Sequence, residues 1–140
     1  MKDPSIEIYT AIETLLSGLT YGGRIWNVYM DIPFNKSLQY IWLKDVYFTE
    51  DGTEDYYITD CTITIEVGAS GRKQLGNKTA INSIKTQILQ LLIKKNLSLS
   101  GFVVCYGPIL ESSVVIPNEV SEKGILNREE LRIFMKTQQL

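Results

Sequence analysis

The stretch Gly71-Arg72-Lys73-Gln74-Leu75-Gly76-Asn77-Lys78-Thr79, set between a strand pattern and a helix pattern, has the residue types of a phosphate-cradling loop. Such loops follow G-x-x-x-x-G-K-[ST]: successive backbone N–H groups curl around a phosphate and the lysine reaches over it. Here Asn77 stands between Gly76 and Lys78, and one inserted residue turns that lysine by ~100° on a helix. The preceding strand also reads as amphipathic and antiparallel, whereas a nucleotide-hydrolysing core is built on buried parallel strands. The segment therefore reads as a basic connection into a helix, with Asn77 as its N-cap. Arg72, Lys73 and Gln74 become candidates for docking on a protein partner or a DNA backbone.

Other chemistries have less to work with. The chain has no histidine, which removes Ser-His-Asp and Cys-His activation and the commonest metal ligand. Asp60 and Glu66 invite an acid–base pairing, but six residues along one strand separate them by ~20 Å. Glu129 and Glu130 read as a solvated pair. No Cys, Asp and Glu spacing matches a ligand set, so no catalytic, cofactor-binding or metal residue is assigned. Cys61 and Cys105 fall in apolar strand patterns and read as reduced, buried thiols.

Composition narrows the class. The 140 residues are 44% hydrophobic and 21% charged, near globular averages, and long enough for one domain spanning 1–140 with a core of its own. The net charge of −2 and the pI near 5.2 lack the footprint of a dedicated nucleic-acid binder. Apolar runs fall short of a membrane span, and residues 1–17 lack the pattern of a signal peptide, so no membrane partner and no export are expected.

The elements that position these residues follow from periodicity. Asp3-Pro4 starts a helix running to about Ser17, with Ile8, Ile12, Leu15 and Leu19 on one side. Arg24 to Met30 reads as a strand closed by Asp31-Ile32-Pro33. A second strand runs from about Gln39 to Thr49, with Ile41, Leu43 and Tyr47 on one face and Tyr40, Trp42, Val46 and Phe48 on the other. Both faces are apolar, so this strand is either covered twice or meets a partner. Glu50 to Glu54 reads as a hairpin turn into a strand with Tyr57, Thr59, Cys61, Ile63, Ile65 and Val67 on its dry face and Tyr56, Ile58, Asp60, Thr62, Thr64 and Glu66 opposite.

A second helix spans about Lys78 to Lys95, with Ile81, Ile84, Ile88, Leu91 and Leu92 as its stripe and Leu89 and Ile93 on a flank wider than one sheet contact needs. A strand from Phe102 to about Ile116 breaks at Gly107-Pro108, Pro117 to Asn127 reads as a polar loop, and Glu129 to Gln138 is the last strand. The order α-β-β-β-α-β-β predicts an α+β domain: an antiparallel sheet of about five strands with two helices on one face.

The aromatics concentrate in the first three strands among acidic neighbours, which disfavours base stacking and favours an oligomer interface. Tyr40 and Trp42, with Leu89 and Ile93, are the interface candidates.

With this layout the chain resembles the tail-completion, or tail-terminator, proteins of tailed bacteriophages. The resemblance rests on Asn27-Val28-Tyr29-Met30-Asp31-Ile32-Pro33, similar to the family's V-Y-x-x-x-P entry. It continues through Gln39-Tyr40-Ile41-Trp42-Leu43, where Gln39 replaces the usual proline of a P-Y-I strand, and through the long Asp60 to Val67 strand and the small basic crossing after it. The resemblance implies a non-enzymatic virion subunit without cofactors, at the neck or tail of the particle and in the host cytoplasm during assembly. It implies a homo-oligomeric ring, a hexamer or a dodecamer, between connector and tail-tube proteins, with DNA passing through the lumen unread. Asp60, Thr62, Thr64 and Glu66 are the lumen-face candidates. The alternatives are another neck ring protein such as an adaptor or stopper, a small nucleotide-binding enzyme, and a monomeric binding module.

Overall fold

The computed structural model describes residues 2–31, 39–51, 57–122 and 124–140. Helix α1 covers Ser5–Leu16, followed by β1 (Thr20–Tyr21), β2 (Arg24–Ile25), β3 (Asn27–Tyr29), β4 (Gln39–Glu50), β5 (Ile58–Gly71), helix α2 (Gln74–Leu92), β6 (Phe102–Ser121) and β7 (Gly124–Gln139). Five strands form the main sheet in the order β3-β4-β5-β7-β6, and β1 and β2 form a small hairpin beside it. The α+β expectation of a five-stranded sheet with two helices is met. The expected closing residues Ile32 and Pro33 and the turn residues 52–54, with Tyr56, lie outside the described residues.

Three pairings differ from expectation. The run from Arg24 to Met30 is not one strand: buried Trp26 divides it, with β2 pairing back on β1 and β3 joining the main sheet. Because β3 runs parallel to β4, with Val28 opposite Ile41, the sheet is mixed rather than wholly antiparallel. And Pro117 to Asn127 is not a loop: β6 and β7 pair from Phe102↔Gln139 as far as Ser121↔Gly124. Pro117 is tolerated because β6 is an edge strand, where a missing N–H costs no ladder bond.

The core lies between the sheet and the two helices. Ile8, Ile12 and Leu16 of α1 and Ile81, Ile84, Ile88 and Leu92 of α2 are buried against Ile63, Ile65 and Val67 of β5 and Leu131, Ile133 and Met135 of β7. Each fully buried Ile or Leu contributes about 1.5–3 kcal/mol. Leu16, which with Tyr9 flanks the stripe by periodicity, is fully buried, and Leu15 is partly buried against the same core. The Asp3 carboxylate accepts the Ser5 N–H at 2.8 Å, and Gly18, at φ 91°, allows the chain to leave the helix.

A bulge in β4 decides which side chains face the core. Leu43 opposes Ile65 and Val46 opposes Ile63, so Lys44 and Asp45 share one place in the ladder. Beyond it the alternation reverses. Val46 and Phe48 pack against the core, and Tyr47 is exposed on the outer face, a correction to the simple two-residue reading. Tyr9 of α1 fills the gap in the ladder: its hydroxyl donates to the Lys44 carbonyl at 2.9 Å and accepts the Val46 N–H at 3.0 Å. Burial raises the Tyr9 pKa, against the lowering effect of the Val46 bond.

Asn77 is also corrected. Helix α2 begins at Gln74, so Asn77 sits inside the first turn, and Lys73 holds the N-cap place without a side-chain bond. The Asn77 amide instead donates to the Ile125 carbonyl at 2.9 Å and to Asn127 Oδ1 at 3.0 Å. It thereby ties the start of α2 to β7. Asn77→Leu leaves buried acceptors on β7 without a donor and should cost about 2 kcal/mol. Chemical denaturation would show this as a lower midpoint at unchanged slope; a midpoint equal to wild type would remove the tie.

Candidate functional site

The connection after β5 is two residues long, Arg72 and Lys73, both exposed, with the third docking candidate, Gln74, already in α2. Helix α2 already includes Gly76 and Lys78, so only two residues separate strand from helix, too few for the loop that wraps a phosphate in the G-x-x-x-x-G-K-[ST] motif.

The strand candidates Tyr40, Trp42, Asp60, Thr62, Thr64 and Glu66 fall on the sheet face away from the helices. Strands β4, β5 and β7 bring Trp42, Glu66 and Glu130 into one cross-strand row, with Glu66 directly opposite Glu130. Two facing carboxylates repel. Lys44 resolves this, standing 2.8 Å from Glu130 Oε1 and 3.5 Å from Glu66 Oε1, with its ammonium 4.9 Å from the centre of the Trp42 ring. Burial alone would lower the Lys44 pKa; the hydrogen bond and charge of Glu130, aided by Glu66, outweigh it and hold the pKa above the usual value.

The Tyr40 hydroxyl donates to Glu66 Oε2 at 2.6 Å. Burial, then the neighbouring Glu66, pushes the Tyr40 pKa far up, so the phenol stays protonated. Tyr40 is 1% exposed and Glu66 2% exposed. Neither is a free surface residue: as an interface candidate and a lumen-face candidate respectively, they are engaged with each other inside the subunit. Trp42 is half-buried and its Nε1–H donates to the Met30 carbonyl at 3.1 Å. Leu89 and Ile93 are partly buried against the core.

Asp60, Thr62 and Thr64 remain half-buried on the outer face. Asp60 lies 3.2 Å from Lys136, Thr62 reaches Glu111 at 3.5 Å, and Thr64 stands opposite Arg132. The face is therefore mixed in charge, because β7 sets Arg128, Arg132 and Lys136 beside β5. The alternation of the last strand, with Arg132, Phe134 and Lys136 on the side away from Leu131, Ile133 and Met135, is legible in sequence, but that this side adjoins Asp60 and Thr64 depends on the β5–β7 register.

A cleft of about 710 Å³ lies between α1 and residues 96–100, and Glu7 is the one ionisable side chain lining it. Among the described residues, no three Cys, Asp or Glu side chains gather to hold a metal ion.

The two thiols differ. Cys61 is buried in the core and Cys105 is exposed on β6, against the expectation of two buried thiols. Burial pushes the Cys61 pKa to about 11, so it is the weaker nucleophile at neutral pH. A disulfide-exchange reagent should titrate one thiol rapidly in the native protein and the second only on unfolding; two fast thiols would contradict the burial of Cys61.

Exposed apolar side chains gather on β6: Val103, Tyr106, Leu110, Val114, Val115 and Val120. This strand is 20 residues long and forms a free edge of the sheet, whereas most edge strands are short, charged or covered.

No family model matches the chain, and no curated protein matches it. A likeness in fold extends over nearly the whole chain. A chain from a solved structure described as "Virion of native gene transfer agent (GTA) particle" superposes with a TM-score of 0.66 at 14% identity, covering 95% of this chain and 92% of that one. The α+β architecture described above is thus one that a chain of that virion also adopts.

Proposed function

We propose that this chain is a structural virion subunit of a tailed phage or phage-like particle, a tail terminator that forms a homo-oligomeric ring at the head–tail junction. The observation that carries the reading is the end-to-end likeness in fold to a chain of a gene transfer agent virion. A long uncovered edge strand and a mixed-charge sheet face without a reactive centre agree with it. In this reading the chain is not an enzyme. It closes a ring with copies of itself, as a hexamer or dodecamer, and docks on connector and tail-tube proteins, for which Arg72, Lys73 and Gln74 are the contact candidates. DNA crosses the lumen without being read. Asp60, Thr62 and Thr64 face that lumen, while Glu66 supports them from within the subunit.

Electron microscopy of the purified chain tests this. Closed rings whose inner wall is the face carrying Thr62 and Thr64 are the expected result. Particles that stay monomeric at high concentration would favour a monomeric binding module instead.

A further inference from the structure

Strand β6 is protected along much of its length and bare in one stretch. Its pairing with β7 shifts register between Val104 and Tyr106, Tyr106 and Ile109, Leu110 and Ser112, and Ile116 and Glu119, each time through a surplus residue in β6, and such bulges turn an edge away from further pairing. Pro108 and Pro117 lie in the same regions and supply no N–H. The Pro108 carbonyl is already taken by the Lys94 N–H at 2.8 Å. Between these regions residues 112–116 pair with β7 one for one, from Ser112↔Arg132 to Ile116↔Arg128.

Because β6 ends the strand order, alternate backbone N–H and C=O groups of this regular stretch point out of the sheet edge. Its side chains are apolar on both faces: Val114 is 49% exposed and Val115, on the opposite face, 63%. Helix α1 packs on β3 and β4 and helix α2 on β5 and β7, which leaves the faces of β6 wet. Edges seldom stay regular, apolar and uncharged without cover.

We infer that residues 112–116 receive an extended segment of a different polypeptide, which adds a strand beside β6. The unpaired backbone groups select its conformation, since a helix satisfies its own N–H and C=O groups and would leave those of β6 to water. Apolar side chains in the guest suit Val114 on one face and Val115 on the other. Charge selects its flanks, for β6 carries Glu111 and Glu119 and no Lys or Arg. Arg128 holds Glu119 at 3.4 Å, whereas Glu111 reaches the Thr62 hydroxyl at 3.5 Å and has no ion pair among the described residues. A Lys or Arg of the guest beside Glu111 completes the arrangement. A second copy of this chain fits poorly: its other sheet edge, β3, is three residues long, and two β6 strands side by side bring glutamates together without a cation. This docking does not depend on the ring reading, since a monomeric binding module would use the same edge.

The probe is a capped peptide of about seven residues, valines flanked by lysines. Added at millimolar concentration to the full chain, it is expected to slow hydrogen exchange of the edge-facing amides within 112–116 by about tenfold or more, read by NMR. The same peptide N-methylated at every valine should leave exchange unchanged, and glutamate flanks in place of the lysines should weaken the protection. Val115→Lys, at an exposed position where folding is retained, which circular dichroism checks, should abolish it. If the N-methylated peptide protects equally, the stretch is an apolar patch and not a strand acceptor. If the glutamate-flanked peptide protects equally, the basic guest is wrong. If protection grows with the concentration of the chain alone, a second copy is the occupant. Any of these results, or no protection by the lysine-flanked peptide, overturns the inference.

Discussion

Gly68→Ala lowers the thermal midpoint by about 10 °C or more, the reverse of what this substitution does in an ordinary strand, where Ala is the better residue. Gly68 lies on β5 opposite Tyr40 of β4, and a methyl group there would overlap the Tyr40 ring. The ring cannot swing away freely, because its hydroxyl is bonded to Glu66 at 2.6 Å and the side chain is buried. Overpacking costs about 1–3 kcal/mol, and a strained hydrogen bond to a buried carboxylate adds about 1.5–3 kcal/mol. At this size each kcal/mol moves the midpoint by about 3 °C. Tyr40→Leu in the Gly68→Ala background removes the overlap, so the double variant should be less destabilised than the two single effects combined, by more than about 1 kcal/mol. A Gly68→Ala protein melting within ~2 °C of wild type would mean that Tyr40 does not lie over Gly68 as described.

Lys44→Met has the second large effect, a loss of about 3 kcal/mol at neutral pH, toward the low end for a broken buried ion pair because the Lys44 side chain keeps 24% of its exposure. Without the ammonium, Glu66 and Glu130 face each other across the β5–β7 ladder with nothing between them. Adding Glu66→Gln should recover most of the loss, since it removes the repulsion at its source. The pH dependence has a definite sign. The Lys44 pKa is raised in the folded chain, so its contribution is fully present below the ordinary lysine value of about 10.4 and fades as pH climbs through the folded value. Denaturation midpoints of wild type and Lys44→Met should therefore run in parallel from pH 7 to 10 and converge above that. Parallel curves through pH 12 would remove the charge from the explanation.

Much of this architecture is legible in residue order, and the exceptions share a cause. Helix α1, strand β5 and the body of α2 announce themselves because each buries one face of a long element, which forces a period of 3.6 or 2 on the apolar residues. Edge strand β6 escapes beyond Ile116, and with it the start of β7, because an edge strand near the end of a sheet is wetted and its polar residues look like those of a loop. Asn77 looks like a cap from its neighbours alone; its true partners, Ile125 and Asn127, are 48 and 50 residues away. The division at Trp26 is invisible to periodicity because the residues on both sides are strand formers in different sheets. The outer-face cluster was half legible. Tyr40, Trp42 and Glu66 stood out by type, but their engagement with Lys44 and Glu130 depends on register between strands, which no local pattern carries. The bulge left one usable mark: Lys44-Asp45, two successive charged residues in a strand otherwise alternating by apolar side.

That bulge behaves like a shift of reading frame. A strand is read in steps of two, and one surplus residue exchanges the odd and even members for all that follows, so Tyr47 is turned to the outside and Phe48 to the core without any change in the residues themselves. The outer face of this subunit is consequently written twice, once before Lys44 and once after it in the opposite phase. Tyr9 acts as the punctuation mark, since its hydroxyl occupies the place where the frame changes. A single-residue insertion or deletion in this short stretch would recompose the whole lower half of the surface, whereas the same change outside the strands would alter only the length of a connection.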